Sequence, residues 1–417
     1  DMMGSRRMGT PFRPFFATGG HGRFLVRQST GALAVCVDDG ASVFPVLLEG
    51  GVVGIPGQVT APYVSRIREA AATTGNSTLI NFTLKAGAGI QAGNDSVIAR
   101  PGLISLVEAR EGSASGVSGL TYGQLSPRLA STATRHAYAA ALLEQPAAVN
   151  AAVFSKVIGM NHPLVLAQKG GAAHHLANHF TEPKFSSFVG EAVSAGGTVY
   201  RTKFTSGKTT REGLWIHNHM DGDVLTHTAP VAWVDGPAVG MAAGVKYRRF
   251  LKTFITTGGE VVFMAQMKGP GITAANDVGI WRRLSAGGQI IPLIREGDAV
   301  PCADGAIIGT IQRLEVADGG RWMLLASLAR CPAGRNQALF VGNIAGHVVP
   351  EILQRKGDVV DRSAPSRLLS LGMSTNNSDA AGMGSKGGAR LAGASHVLHS
   401  ARFSNGTELV RSTVFGN

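Results

Sequence analysis

One short apolar pattern returns about seven times along this chain, and that recurrence limits the possible folds more than any single residue does. The runs are Gly22-Arg23-Phe24-Leu25-Val26, Ser77-Thr78-Leu79-Ile80, His136-Ala137-Tyr138-Ala139, Gly197-Thr198-Val199-Tyr200, Gly259-Glu260-Val261-Val262-Phe263, Gly320-Arg321-Trp322-Met323-Leu324 and Ser395-His396-Val397-Leu398. Counted from Leu25 through Ile80, Ala139, Tyr200, Phe263, Leu324 and Leu398, the steps are 55, 59, 61, 63, 61 and 74 residues. A nearly constant period of this size marks one supersecondary unit used repeatedly.

The clearest copy spans 276–335. Val278 to Leu284 predicts a strand, Ser285-Ala286-Gly287-Gly288 a tight turn, and Gln289 to Glu296 the returning strand. Ala306 to Ile311 and Arg321 to Leu328 supply two more, so four short strands make one antiparallel sheet. Asn94, Asn150, Asn276 and Asn336 open four of the units as turn formers. Pro45, Pro163, Pro292 and Pro350 stand near the start of the returning arm. Proline donates nothing to a ladder, so this arm is expected at a bulge or a sheet edge.

Sheets with two apolar faces must stack on one another, and radial stacking leaves only short edges open. The expected fold is therefore all-β, a seven-bladed β-propeller of four-stranded antiparallel blades. Its units are expected at about 32–93, 94–149, 150–210, 211–275, 276–335 and 336–406, with the seventh blade split between residues 11–31 and 407–417. All of these form one domain after an N-terminal tail at 1–10, and the Ser-, Asn-, Ala- and Gly-rich stretch 361–395 predicts a surface loop.

With 44% apolar and 16% charged residues, the chain can bury a core and is not of disordered composition. Its formal charge of +12 invites an acidic partner. The basic residues are scattered, with no dense tract or reading motif, which argues against nucleic acid and leaves a solvated basic surface or attraction to acidic polysaccharide or envelope. Three cysteines exclude a four-thiolate zinc site; Cys302 and Cys331 fall in one unit and can pair, leaving Cys36 free. No apolar run reaches the roughly 20 residues of a membrane-spanning helix. The start, Asp1 to Arg7, shows no apolar signal segment, so the chain reads as a mature form or one that never carried a signal. Sequons at Asn76, Asn81, Asn94, Asn376 and Asn405 fit a secreted surface.

Gly279-Ile280-Trp281, Leu293 to Pro301 and Gly259 to Phe263 carry a family resemblance over residues 11–417. The chain resembles the bacterial choice-of-anchor tandem-repeat proteins, which are named for an N-x-x-G-x-x-A-F signature. Thr256 stands where that signature has asparagine, and Val262 where it has alanine. The resemblance implies an exported, surface-associated repeat protein with no assigned reaction.

Reactive groups are few. His217, His219, Asp221, Asp223 and His227 cluster after Trp215, and on a strand His217 and His219 share one face, the spacing of a transition-metal pair. His174, His175 and His179 form a second cluster; in a helix, His175 and His179 would lie one turn apart, though without the glutamate of a zinc-protease motif. No other cofactor is expected. Gly207-Lys208-Thr209 lacks the leading glycine of a phosphate loop, because Thr202 holds its place. The Arg110-Glu111 and Arg295-Glu296 pairs read as turn contacts, and Trp215 and Trp281 as core with sugar stacking as the alternative.

What repeats is core, not chemistry. The expectation is a non-catalytic, extracellular structural or adhesive protein, self-assembling through its C-terminal strands. The alternatives are a glycan hydrolase or lyase working at a channel mouth and a binding module for acidic carbohydrate.

Overall fold

The structure is a computed structural model that describes the chain apart from residues 1, 4, 5, 17–21, 40, 73–77, 88, 103, 104, 133, 134, 158, 159, 161, 174, 220–227, 301–304, 318, 345–349, 361–365, 374–395 and 414–417. Its strands sort into seven antiparallel sheets. The first holds Arg6–Phe16, Gly22–Gln28, Leu33–Asp38 and Val43–Leu48, with Met2–Met3 beside its leading strand. The second holds Val64–Ala72, Thr78–Leu84, Ser96–Arg100 and Leu106–Arg110. Thr121–Leu125, Arg135–Leu143, Ala151–Val157 and Leu164–Gln168 make the third, with Ala130–Ser131 also paired to its second strand. Lys184–Ser194, Gly197–Ser206, Thr209–Asn218 and Thr228–Trp233 make the fourth.

Lys246–Ile255, Val261–Lys268, Val278–Arg283 and Ile290–Arg295 form the fifth sheet, and Ile307–Val316, Arg321–Ala329, Gln337–Asn343 and Glu351–Arg355 the sixth. Val359–Val360, Ser366–Gly372, His396–Phe403 and Gly406–Thr413 form the seventh. The fold is thus all-β, built from sheets of about four strands in simple up-and-down order, the blade unit of a β-propeller. Two compact units divide it, Asp1–Ala232 with Ala381–Ala389, and Trp233–Ala380 with Arg390–Asn417.

The sheet boundaries lie half a unit away from those expected. Val278–Arg283 and Ile290–Arg295 close the sheet opened by Lys246–Ile255; they do not open a sheet with Ile307–Val316. A periodic pattern fixes the period but not where it is cut, and the asparagine turns used as the cut lie inside each sheet. The split blade goes with that shift. Gly22–Gln28 pairs with Leu33–Asp38, and Gly406–Thr413 with His396–Phe403, each its neighbour in sequence. The leading strand of the first sheet starts at Arg6, within the expected tail. Ser366–Gly372 is a strand inside the expected loop 361–395, its Leu368 and Leu371 buried on either side of a register slip that hides the strand period.

The periodic run is the second strand of the first six sheets and the third of the seventh. Thr78–Leu84 is buried along its whole length, as expected of a strand flanked on both faces. A trio of rings repeats in three successive sheets. Tyr138 stacks on Phe154, Tyr200 on Trp215 and Phe263 on Trp281, with interplanar angles of 21°, 15° and 14°. In each case an aromatic residue from the leading strand, Tyr122, Phe185 or Tyr247, meets the third-strand ring edge-on at 5.1–5.2 Å. Trp215 and Trp281 are buried, so neither ring is open to a sugar. Gly279 makes room for its tryptophan: an added Cβ would sit 2.8 Å from the Trp281 ring.

Fourth strands are sheet edges, and both expectations for their prolines hold where the pairing shows them. The register slips by one residue beside Pro45 and beside Pro292. After five of the fourth strands comes a charged residue, Glu49, Glu111, Lys169, Glu296 or Lys356, that joins structure. Glu49 takes the backbone N–H of Leu33 in its own sheet and of Ile67 in the next sheet's leading strand, both at 2.8 Å. Glu296 repeats this with Val278 at 3.2 Å and Ile311 at 2.9 Å. Glu111 accepts from Ser96. Where lysine replaces glutamate, Lys169 and Lys356 donate instead to Asn150 and Asn336. Asn94 and Asn276 fold their own turns, each side-chain oxygen accepting from the N–H three residues back.

Removing the Glu296 carboxylate leaves two backbone donors without their acceptor. Glu296→Ala is expected to cost about 3 kcal/mol in urea unfolding, and Glu296→Gln, which keeps one acceptor oxygen, roughly half of that. Gly279→Ala is expected to destabilise by about 2 kcal/mol through overpacking against Trp281, whereas alanine at the open turn residue Gly319 changes the midpoint little.

Candidate functional site

The two histidine clusters do not come together. His217 lies on a third strand, 3% exposed, its Nδ1 3.3 Å from the Thr228 hydroxyl. His219 sits at that strand's end, its Nε2 2.8 Å from Thr198 Oγ1 and 3.5 Å from Ser155 Oγ. The two imidazoles are neighbours, with centroids 5.7 Å apart, but each faces hydroxyls. Asp221, Asp223 and His227 lie outside the described residues, as does His174. His175 is exposed with φ at 61°, a left-handed residue that breaks any helix through 175–179.

His179 is placed by Phe180, whose ring contacts Phe204 at 5.2 Å. Phe204 pairs with Arg211 at one end of a hairpin, and Thr198 with His217 near the other. Six residues of strand, about 20 Å, separate these positions, so among the described residues His179 does not share a metal ion with His217 and His219. No group of three or more His, Cys, Asp or Glu among the described residues is arranged to hold a metal.

Gly207 and Lys208 form the tight turn of this same hairpin, not a phosphate loop. Cys302 is outside the described residues; Cys331 is free, with its thiol 3.6 Å from the Arg335 carbonyl. Of the sequons, Asn81 is fully buried and Asn94 is committed to its turn, while Asn405 is exposed. Asn76 and Asn376 lie outside the described residues. No described helix is long and apolar enough to cross a membrane.

The site that sequence reasoning missed is a cavity of about 1,090 Å³ in the first unit. Its lining comes from the leading strands of the second, third and fourth sheets and their extensions, with residues of the first sheet and of the later strands of the third. These strands carry an extra residue relative to their partners. Val64–Ala72 slips register between Val64 and Arg66 and again between Ile67 and Glu69, and Lys184–Ser194 slips twice at the matching places. A bulge re-aims the side chains beside it. Here the bulged segments supply Arg66, Arg68, Ser186, Ser187 and Phe188 to the lining.

Arg27, Arg128 and Lys169 add three more cations, and Glu69 is the one acid in the lining. Arg68 is pinned by the Leu125 carbonyl and Ser96, and Lys169 by Ala147 and Asn150. Arg66 is exposed and has no hydrogen-bond or ion-pair partner among the described residues. The signal in the sequence was weak, since these cations are far apart along the chain and only pairing collects them.

Several titratable groups are buried. His136 is 0% exposed with neither ring nitrogen bonded, and its pKa is pushed down to about 3 by burial and then by Lys156 and Arg100. Burial likewise lowers His219 to about 3 and His399 to about 4. Glu191 moves the other way, up to about 7 through burial, with Arg128 opposing.

A depressed histidine contributes fully above its unfolded pKa of about 6.5 and loses that contribution as pH falls toward the folded value. Melting temperature is therefore expected to drop from pH 6.5 to pH 4. His136→Leu should flatten this limb by on the order of 2 kcal/mol. The raised carboxyl of Glu191 does the reverse, contributing below about pH 4.5 and losing it as pH rises through 7. Glu191→Gln is expected to raise the melting temperature more at pH 8 than at pH 5, with a calorimetric scan at each pH as the check.

Among solved structures the chain is similar to the polysaccharide lyase Uly1, with 8% identity, coverage of 96% of this chain and 89% of that one, and a TM-score of 0.45. It is also similar to a puromycin hydrolase, at 9% identity, 98% and 52% coverage and a TM-score of 0.45. An α-L-arabinanase of Penicillium chrysogenum matches at 9% identity, 81% and 94% coverage and a TM-score of 0.35. The chain spans about half the length of the first peptidases and hydrolases it matches, 42% of a prolyl endopeptidase and 52% of the puromycin hydrolase. Comparison with curated proteins gives no match. A family model described as a family of unknown function, DUF7453, matches residues 23–408, and the chain belongs to that family.

Proposed function

We propose that this chain is a non-catalytic, exported structural or adhesive protein of the cell surface. The observation that carries this reading is the use made of its repeated polar residues. Glu49 and Glu296 are consumed in joining one sheet to the next, and Asn94 and Asn276 in folding turns. The recurring rings are buried. Repetition therefore serves a rigid body, and a large concave surface of the first unit has a lining of cations, hydroxyls and amides suited to holding a ligand. Self-association through Gly406–Thr413, the edge strand of the seventh sheet, belongs to the same reading.

The test is attachment. Purified protein mixed with cell-envelope fragments of its source is expected to sediment with them and to leave the envelope polysaccharide unchanged in size. Shortening of that polysaccharide would replace this reading with a glycan hydrolase or lyase. Protein remaining in the supernatant would overturn the adhesive role.

A further inference from the structure

We infer that the basic cavity of the first unit is a binding site for an acidic polysaccharide, a chain bearing uronate or sulfate groups. The inference rests on the adhesive reading and names the ligand class for it. Charge is the first argument. Arg66, Arg68 and Arg128 come from two different sheets, and Arg27 and Lys169 bring the cations to five against the single carboxylate of Glu69. Arg68 and Lys169 are held by protein acceptors, which fixes their position. Arg66 has none among the described residues, so its guanidinium keeps all its donors for a ligand.

Size and chemistry narrow the class. About 1,090 Å³ exceeds what a single phosphate or monosaccharide fills, and cations spread over separate strands match charges spaced along a polymer. Gln124, Ser186 and Ser187 offer neutral donors and acceptors of the kind sugar hydroxyls require. Phe188, half-buried at the fourth sheet's bulge, is the one aromatic ring in the lining. A single-stranded nucleic acid site would instead present a series of rings for successive bases. One ring beside hydroxyls and arginines suits the apolar face of a sugar in an anionic chain.

The full-length protein is titrated with polygalacturonate, heparin, neutral dextran and a single-stranded oligonucleotide at two salt concentrations. Binding to at least one of the two acidic polysaccharides is expected, weakened by salt, with no binding to dextran. Arg66→Glu is expected to weaken that binding roughly tenfold or more. Lys208→Glu, an equal change of net charge at an exposed hairpin turn, should leave it unchanged. Phe188→Ala should weaken the polysaccharide more than it weakens the oligonucleotide. The inference is overturned if neither acidic polysaccharide binds, if the oligonucleotide binds more tightly than both, or if Arg66→Glu and Lys208→Glu act alike.

Its failure is distinct from failure of the adhesive role. Envelope attachment that survives Arg66→Glu removes the cavity from the account and keeps the adhesive protein. Polysaccharide binding without envelope attachment keeps the cavity and removes the adhesive role.

Discussion

Where glutamate follows a fourth strand, its carboxylate is the contact that sets one sheet against the next. Each sheet has apolar faces, and apolar packing alone is non-directional, so it does not fix how one sheet registers against the next. Glu49 and Glu296 supply that direction, because one oxygen is tied to their own sheet and the other to an amide in the following leading strand. That amide belongs to Ile67 or Ile311, beside the point where the leading strand slips its register. A bulge disrupts its own ladder, and here the neighbouring carboxylate accepts from the strand at that point. Bulge and glutamate are therefore two halves of one joint.

Buried ion pairs add a second layer of positional control. In the first unit Glu108 receives Lys156 at 3.0 Å and Arg100 at 2.9 Å, linking the second and third sheets. In the second unit Glu315 receives Arg313 at 2.8 Å and Lys252 at 3.5 Å, linking the fifth and sixth. Burial pulls Lys252 down to about 8 although Glu315 opposes the shift. Such pairs offset little more than their own desolvation, so their worth lies in rejecting wrong registers.

How much of this was legible from residues alone follows from the range of each signal. The strands, their tight turns and the burial of Trp215 and Trp281 are local, and period and composition reveal them. Thr256 shows the same point at the family signature: its hydroxyl accepts the Glu260 N–H, folding the turn that an asparagine would fold. Sheet membership is not local. The second and third strands are joined by a pattern that reads the same from either side, so the cut fell half a unit out. The cavity was less legible still, since Arg66, Arg128 and Phe188 are separated by some sixty residues each and meet only through pairing. The histidines show the opposite relation between sequence and space. They are close in sequence, yet strand geometry turns His217 and His219 toward threonine and serine hydroxyls.

The doubled slip in the leading strands has a consequence for descent with modification. Because Arg66 stands beside the extra residue of the slip and its guanidinium bonds nothing among the described residues, exchanging it leaves the neighbouring inward residues Ile67 and Ala70, and the partners they face, where they are. On the proposed reading, ligand preference and architectural integrity are thereby placed under separate selection: what the cavity grips can change while the body stays the same.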